Sequence, residues 1–168
     1  ANVLLWPGII LATLSAVYTG FLFAQAEGRD LWQSTLLPFH LFVQAVMAGA
    51  AGLIIVGLFF SLDPETTRVL AWTFGLSTLV NLLITVGGEF AVPHASAVAA
   101  IAAHLITKGK YARWYWFSVI GGMIVPLIVC AFPAPVPYAL PAAGLLSLTG
   151  LFTYEWAFVM APQEIPNN

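Results

Sequence analysis

Charged residues are sparse along this chain and divide it into long apolar blocks, and the lengths of those blocks predict its elements. A helix needs about 20 residues to cross a hydrocarbon core of ~30 Å. The first block, 2–24, carries Pro7 in its first turns, where a missing N–H costs little. The second, 37–62, is opened by "LLPFH" and closed by "DPETTR", and a third runs over 69–90. Residues 114–154 carry no charge and are too long for one crossing. The prolines of "FPAPVPY" cannot continue a helix, so they split this block into spans 114–132 and 138–161. Before it, "PHASAVAAIAAHLI" is helix-prone but short, which predicts an interfacial or re-entrant helix over 94–107, with a sixth span as the alternative. The pattern predicts an all-α integral membrane protein: one transmembrane helical domain, residues 1–168, of about five spans and a short interfacial helix.

Composition agrees. The 168 residues are 61% hydrophobic and 7% charged, with mean hydropathy +0.94. A soluble domain carries roughly 25% charged residues, so there are too few here to coat a globular surface. A net charge of −2 and the lack of a basic segment exclude nucleic acid as a partner. The single Cys130 cannot form an intrachain disulfide. Nucleophile elbows, Walker loops and HExxH are absent, which argues against an independent hydrolase or ATPase. The chain opens inside an apolar stretch without Met, as expected after signal-peptide cleavage or for a segment of a longer subunit.

Five spans place the first and third connections on one face with the C-terminus. That face holds Arg29, Lys108, Lys110 and Arg113, whereas the opposite face holds Arg68, so the positive-inside rule makes it cytoplasmic. Trp32, Trp114, Trp116 and Trp156 fall near it, and Trp6 and Trp72 near the other, as interfacial belts do.

Polar groups gather towards the same face: Tyr18, His40, Glu89, His94, Tyr154 and Glu155. A single Tyr or His there can be an interfacial anchor. An acid in a span costs up to about 3 kcal/mol on insertion scales, so Glu89 and Glu155 should face protein or water. Thr73, Ser77, Asn81, Thr85 and Glu89 recur every four residues, a stripe that turns by about 40° per step on an α-helix. It reads either as a water-accessible proton path ending at Glu89 or as hydrogen-bonding glue between helices. Ala45 with Gly49, and Ala48 with Gly52, have the spacing of close helix packing. His40 and His94 nearly satisfy a bis-histidine haem, but no CxxCH accompanies them.

Two stretches carry a resemblance. "YTGFLF" closes one span, "LWQS" lies in the loop, and "LLPFHLFVQAVMAGAAGL" opens the next. Later "GGEF" ends a span and "KGKYARWYWFSVIGGMIVPLIV" enters another. Together they resemble the NrfD/PsrC family, the membrane subunits of polysulfide-reductase-like complexes, with relatives in alternative complex III and dimethyl sulfoxide reductase anchors. Members have eight or more spans with the Tyr-Thr-Gly junction near the middle, so the resemblance implies that this sequence represents the C-terminal half.

The resemblance implies a subunit of the prokaryotic inner membrane that exchanges electrons between a quinone, ubiquinone or menaquinone, and an iron–sulfur, ferredoxin-like partner. That partner connects to a molybdopterin or multihaem catalytic subunit, and the membrane subunit itself binds no haem or metal. Tyr18 matches a pocket tyrosine of the family. Quinol oxidation releases two protons and two electrons, so a pocket needs a phenol or imidazole and an acid. Tyr18 and His40 supply the first, and Trp32 offers a ring to stack on. Glu89, Thr85, Asn81, Ser77, His94 and Glu155 form the expected proton path, and Glu27, Arg29 and Asp30 the expected partner contact. In the family's anchor subunits this face meets a partner outside the cytoplasm, against the charge rule, which leaves sidedness open. A structural anchor without a quinone site, or half of an inverted-repeat transporter, are the competing readings.

Overall fold

The computed structural model of the protein describes residues 2–91, 94, 96–132 and 138–166. Its elements are α1 (Asn2–Ala24), a 3-10 turn (Asp30–Gln33), α2 (Leu37–Val56), α3 (Pro64–Phe90), α4 (Ala97–Thr107), α5 (Ala112–Ala131) and α6 (Ala139–Gln163). All the α-helices but α4 are long and apolar enough to cross a membrane, and no strand occurs among the described residues. The chain is thus an all-α integral membrane protein.

Several boundaries differ from the sequence reading, the largest of them around Asp63. "DPETTR" opens α3 instead of closing the preceding span. Asp63 caps the helix, accepting from the Thr66 backbone N–H at 2.9 Å, and Pro64 occupies the first helical position where its missing N–H is harmless. The Thr66 hydroxyl and backbone bonds hold the Asp63 carboxyl below its ordinary range. As a result α2 stops at Val56 rather than 62, and α3 begins at Pro64 rather than 69. The short helix begins at Ala97, where Ser96 caps it by accepting from Ala99 N–H at 3.1 Å. The proline break in "FPAPVPY" rests on 133–137, which lie outside the described residues.

Packing centres on α2 and α6. Leu37, His40, Val43, Gln44, Met47, Ala50, Ala51 and Ile54 form the buried stripe of α2, at the three- and four-residue spacing of one helix face. That stripe meets α3 on one side and α6 on the other. Gly49 has nothing near the position a Cβ would take, and Ala45 is exposed, so the small-residue pairs expected to pack point out of this bundle. The close crossing occurs elsewhere. A Cβ on Gly150 of α6 would lie 2.5 Å from the Gly122 Cα of α5, so only glycine lets these backbones touch. Gly20 does the same for α1: its Cβ would lie 2.8 Å from the Pro38 Cα, which seats "YTG" directly on "LLP". Most of the rest of α1 is exposed.

Two spans contain π-helical segments, Leu83–Phe90 in α3 and Ser118–Ile124 in α5. Prolines leave carbonyls that neighbouring side chains satisfy. Pro126 has no N–H for the Gly122 carbonyl four residues earlier, and the Ser147 hydroxyl of α6 donates to it at 2.5 Å. Pro162 leaves the Phe158 carbonyl in the same position, and Trp32 Nε1–H donates to it at 3.0 Å.

Candidate functional site

At the end of the bundle where α2 begins, three helices bring their polar residues to one point. His40 lies in the first turn of α2, and its Nδ1 stands 2.9 Å from Glu89 Oε1 on α3. The other Glu89 oxygen accepts a short hydrogen bond from the Tyr154 hydroxyl of α6. His40 Nε2 is 2.7 Å from Asn81 Oδ1, with Thr85 Oγ1 at 3.3 Å and Gln44 Nε2 at 3.2 Å. His40 and Tyr154 are each 1% exposed and Glu89 6%. Asn81 Oδ1 can only accept, so Nε2 carries a hydrogen in this arrangement. One further proton is shared between Nδ1 and Oε1, and another between the phenol and Oε2. The result is a continuous run of exchangeable protons, Tyr154–Glu89–His40–Asn81, closed off from lipid.

The local backbone explains why Asn81, Thr85 and Glu89 converge. On an α-helix a step of four residues over-rotates by about 40°, which would carry the stripe around the helix. The segment Leu83–Phe90 is π-helical, with i→i+5 bonding and more residues per turn, so the same step under-rotates there. The drift reverses, and the three side chains stay on the face opposite His40.

The structure separates the other expected residues. Ser77 is buried, but its hydroxyl donates back to the Thr73 carbonyl at 2.6 Å, so it terminates within its own helix and does not extend the run to Asn81. Thr85 belongs to the cluster. Glu155 is half-buried beside the Gln44 side chain, at the edge of the cluster. Because α6 continues to Gln163, Tyr154 and Glu155 lie within the helix, about two and a half turns from its end, and do not close it. His94 lies between α3 and α4, and its Nε2 has no hydrogen-bond partner among the described residues.

Tyr18 stands apart, 60% exposed on the outer side of α1. Trp32 is buried: besides its bond to Phe158 it meets Phe23 edge-on, centroids 5.0 Å apart. It is a core residue of the loop, packed with its neighbours in a buried apolar cluster. Of the charged loop residues, Glu27 is exposed and Asp30 half-buried, while Arg29 donates to the Ile165 carbonyl at 2.9 Å and so holds the segment beyond α6. Lys110 and Tyr111 grip the same tail, each 2.5 Å from Glu164 Oε1.

Sequence reasoning missed Gln44, although its position four residues after His40 puts the two on one helix face. It placed Tyr154 in the polar set near this face but gave it no part in the site. Among the described residues no group of three or more His, Cys, Asp or Glu could hold a metal ion.

The family model described as "Polysulphide reductase, NrfD" matches residues 1–167. The protein is similar to the C subunit of polysulfide reductase from Wolinella succinogenes, 24% identical over 166 residues that cover 92% of this sequence and 51% of the relative. It is also similar to the protein NrfD of Escherichia coli, 25% identical over 169 residues with 92% and 51% covered. The chain spans about half the length of the curated relatives it matches. No solved structure matches.

Proposed function

The chain belongs to the NrfD family of polysulphide reductase, and we propose that it is the quinone-reactive part of a membrane subunit in a respiratory oxidoreductase of a prokaryotic inner membrane. In this reading ubiquinol or menaquinol gives two electrons to an iron–sulfur partner, and through it to a molybdopterin or multihaem catalytic subunit. The two protons pass to side chains of this protein. The protein itself holds no haem or metal.

The observation that carries the reading is the buried run Tyr154–Glu89–His40–Asn81. An ionisable acid inside a membrane is costly, and three helices can be tied together by Ser, Thr and small residues without one. Glu89 accepts on one oxygen and shares a proton on the other, which is the arrangement a relay needs. Tyr18 serves as the contact to the quinone carbonyl: Gly20, two residues on, anchors this helix end on Pro38 and leaves the phenol exposed. Trp32 positions the loop from within the core, and the contact to the partner falls to Glu27 and Asp30, because Arg29 is committed to Ile165.

The competing reading, a structural anchor without a quinone site, is favoured by one observation. Neither of two surface clefts, one beside Gly57 and Leu62 and one beside Trp114 and Trp156, is lined by His40, Glu89 or Tyr154. Tyr18→Phe separates the two. It should lower quinol-coupled turnover and raise KM for quinol while the complex assembles normally. Unchanged turnover removes Tyr18 from the pocket, and the lack of saturable binding of a quinone analogue to the intact complex leaves the anchor.

A further inference from the structure

The cleft between α5 and α6 is set apart from the His40 cluster. It encloses about 240 Å³ and is lined by Trp114, Phe152, Thr153 and Trp156. Its volume is several times the ~30 Å³ a water molecule occupies in the liquid, yet its walls offer water little. The Thr153 hydroxyl, its one side-chain oxygen, already donates to the Gly150 carbonyl at 2.8 Å. An apolar tail fits such a slot.

Its rim is not apolar. The Arg113 guanidinium lies over the Trp114 ring, 4.7 Å from its centroid, so one wall of the cleft carries a cation on its outer side. Among the described residues Arg113 makes no salt bridge, whereas its neighbour Lys110 is committed to Glu164. Lys108, in the α4–α5 connection that precedes Arg113, adds a second exposed cation. Glu155, next to Trp156 in sequence, lies beside Gln44 on α2, and no described acid pairs with Arg113. Neither Trp114 nor Trp156 donates its indole N–H to another described residue.

We infer that this cleft is a binding site for an anionic glycerophospholipid, with an acyl tail in the slot and the phosphate on Arg113. A quinone would fill the slot but leave Arg113 without a counter-charge. A zwitterionic lipid would bring its own ammonium group against the guanidinium. Basic residues beside a gap between membrane helices, flanked by interfacial tryptophans, have the chemistry of anionic headgroup recognition.

The test uses the full-length protein, stripped of lipid in detergent and offered phosphatidylglycerol and phosphatidylcholine with identical acyl tails, with retained lipid read by native mass spectrometry. Phosphatidylglycerol should be retained preferentially. Arg113→Gln should reduce that preference by about fivefold, the share of one cation near an anionic headgroup, and Arg113→Lys should keep most of it. Trp156→Ala should weaken retention of both lipids alike. Equal retention of the two lipids by the unaltered protein, which needs no variant to fold, overturns the inference. So does a preference undiminished in Arg113→Gln, or displacement of the bound lipid by a quinone analogue.

Discussion

Trp32 donates its indole N–H to the Phe158 carbonyl at 3.0 Å, the carbonyl that Pro162 leaves without its helical donor. A loop residue thereby completes a membrane helix. Trp32→Phe keeps most of the ring and removes the donor. A buried acceptor left unsatisfied costs about 1–3 kcal/mol, so unfolding in micelles should occur that much more easily. Pro162→Ala returns a backbone donor, and in that background Trp32→Phe should cost clearly less. Equal costs in both backgrounds would show that the bond has no share in stability.

The Gly122–Gly150 crossing sets the distance between α5 and α6. Gly150→Ala would place a methyl 2.5 Å from a backbone Cα that cannot move aside alone. The helices must separate, with an expected loss of about 1–3 kcal/mol. Because Ser147 reaches the Gly122 carbonyl across the same contact, Ser147→Ala should cost less in the Gly150→Ala background than in the native one. A double-mutant cycle of unfolding free energies checks this, and additive costs would uncouple the two contacts.

Glu89 tests the relay. Glu89→Gln keeps the shape of the side chain but cannot pass a proton. If the run carries protons, quinol-coupled turnover of the intact complex should fall by about a hundredfold or more, the usual contribution of a positioned acid–base group. Tyr154→Phe should lower turnover too, and destabilise by about 1–3 kcal/mol because one carboxylate oxygen loses its donor. Native turnover and proton release in Glu89→Gln would reduce the cluster to structural glue.

The tail beyond α6 should respond to pH. The Lys110 ammonium, and then the Tyr111 hydroxyl, hold Glu164 below its ordinary value. A depressed carboxyl stabilises fully above its ordinary range, and that contribution is lost as pH falls through the lowered value. Lys110 is raised by Glu164, and Tyr111 by burial and then by Glu164. Their contributions are present below their ordinary values and fade as pH rises through the raised ones. Protection of the tail's amides from hydrogen exchange, relative to their intrinsic rates, should therefore be greatest between the two limits and fall on acidification. Glu164→Gln should abolish the acid limb; an unchanged profile would place the clasp's strength elsewhere.

Some of this was legible in the residues themselves. Block length and the scarcity of charge specify five crossings, because a bilayer of given thickness admits helices of only one length class. The depth of His40, Asn81, Thr85 and Glu89 was readable, since polar residues inside a membrane must be satisfied by protein or water. The boundary at Asp63 was misread because an acid followed by proline serves a helix start better than a helix end. The small-residue pairs on α2 were misread because spacing reveals a flat helix face but not the direction it points.

Sequence alone determined the class of the protein, the number of its long apolar helices and which polar residues gather towards one end, all consequences of local hydropathy against a lipid solvent. Only the tertiary structure decided which of those groups touch. The π-helical turn of α3 brings Asn81, Thr85 and Glu89 onto His40, and the continuation of α6 carries Tyr154 inward to Glu89. Trp32 is drawn into the core by the Phe158 carbonyl, and Tyr18 is left on the outside. Those choices follow from helix phase and from carbonyls that prolines leave unpaired, and both depend on how residues far apart in the sequence pack.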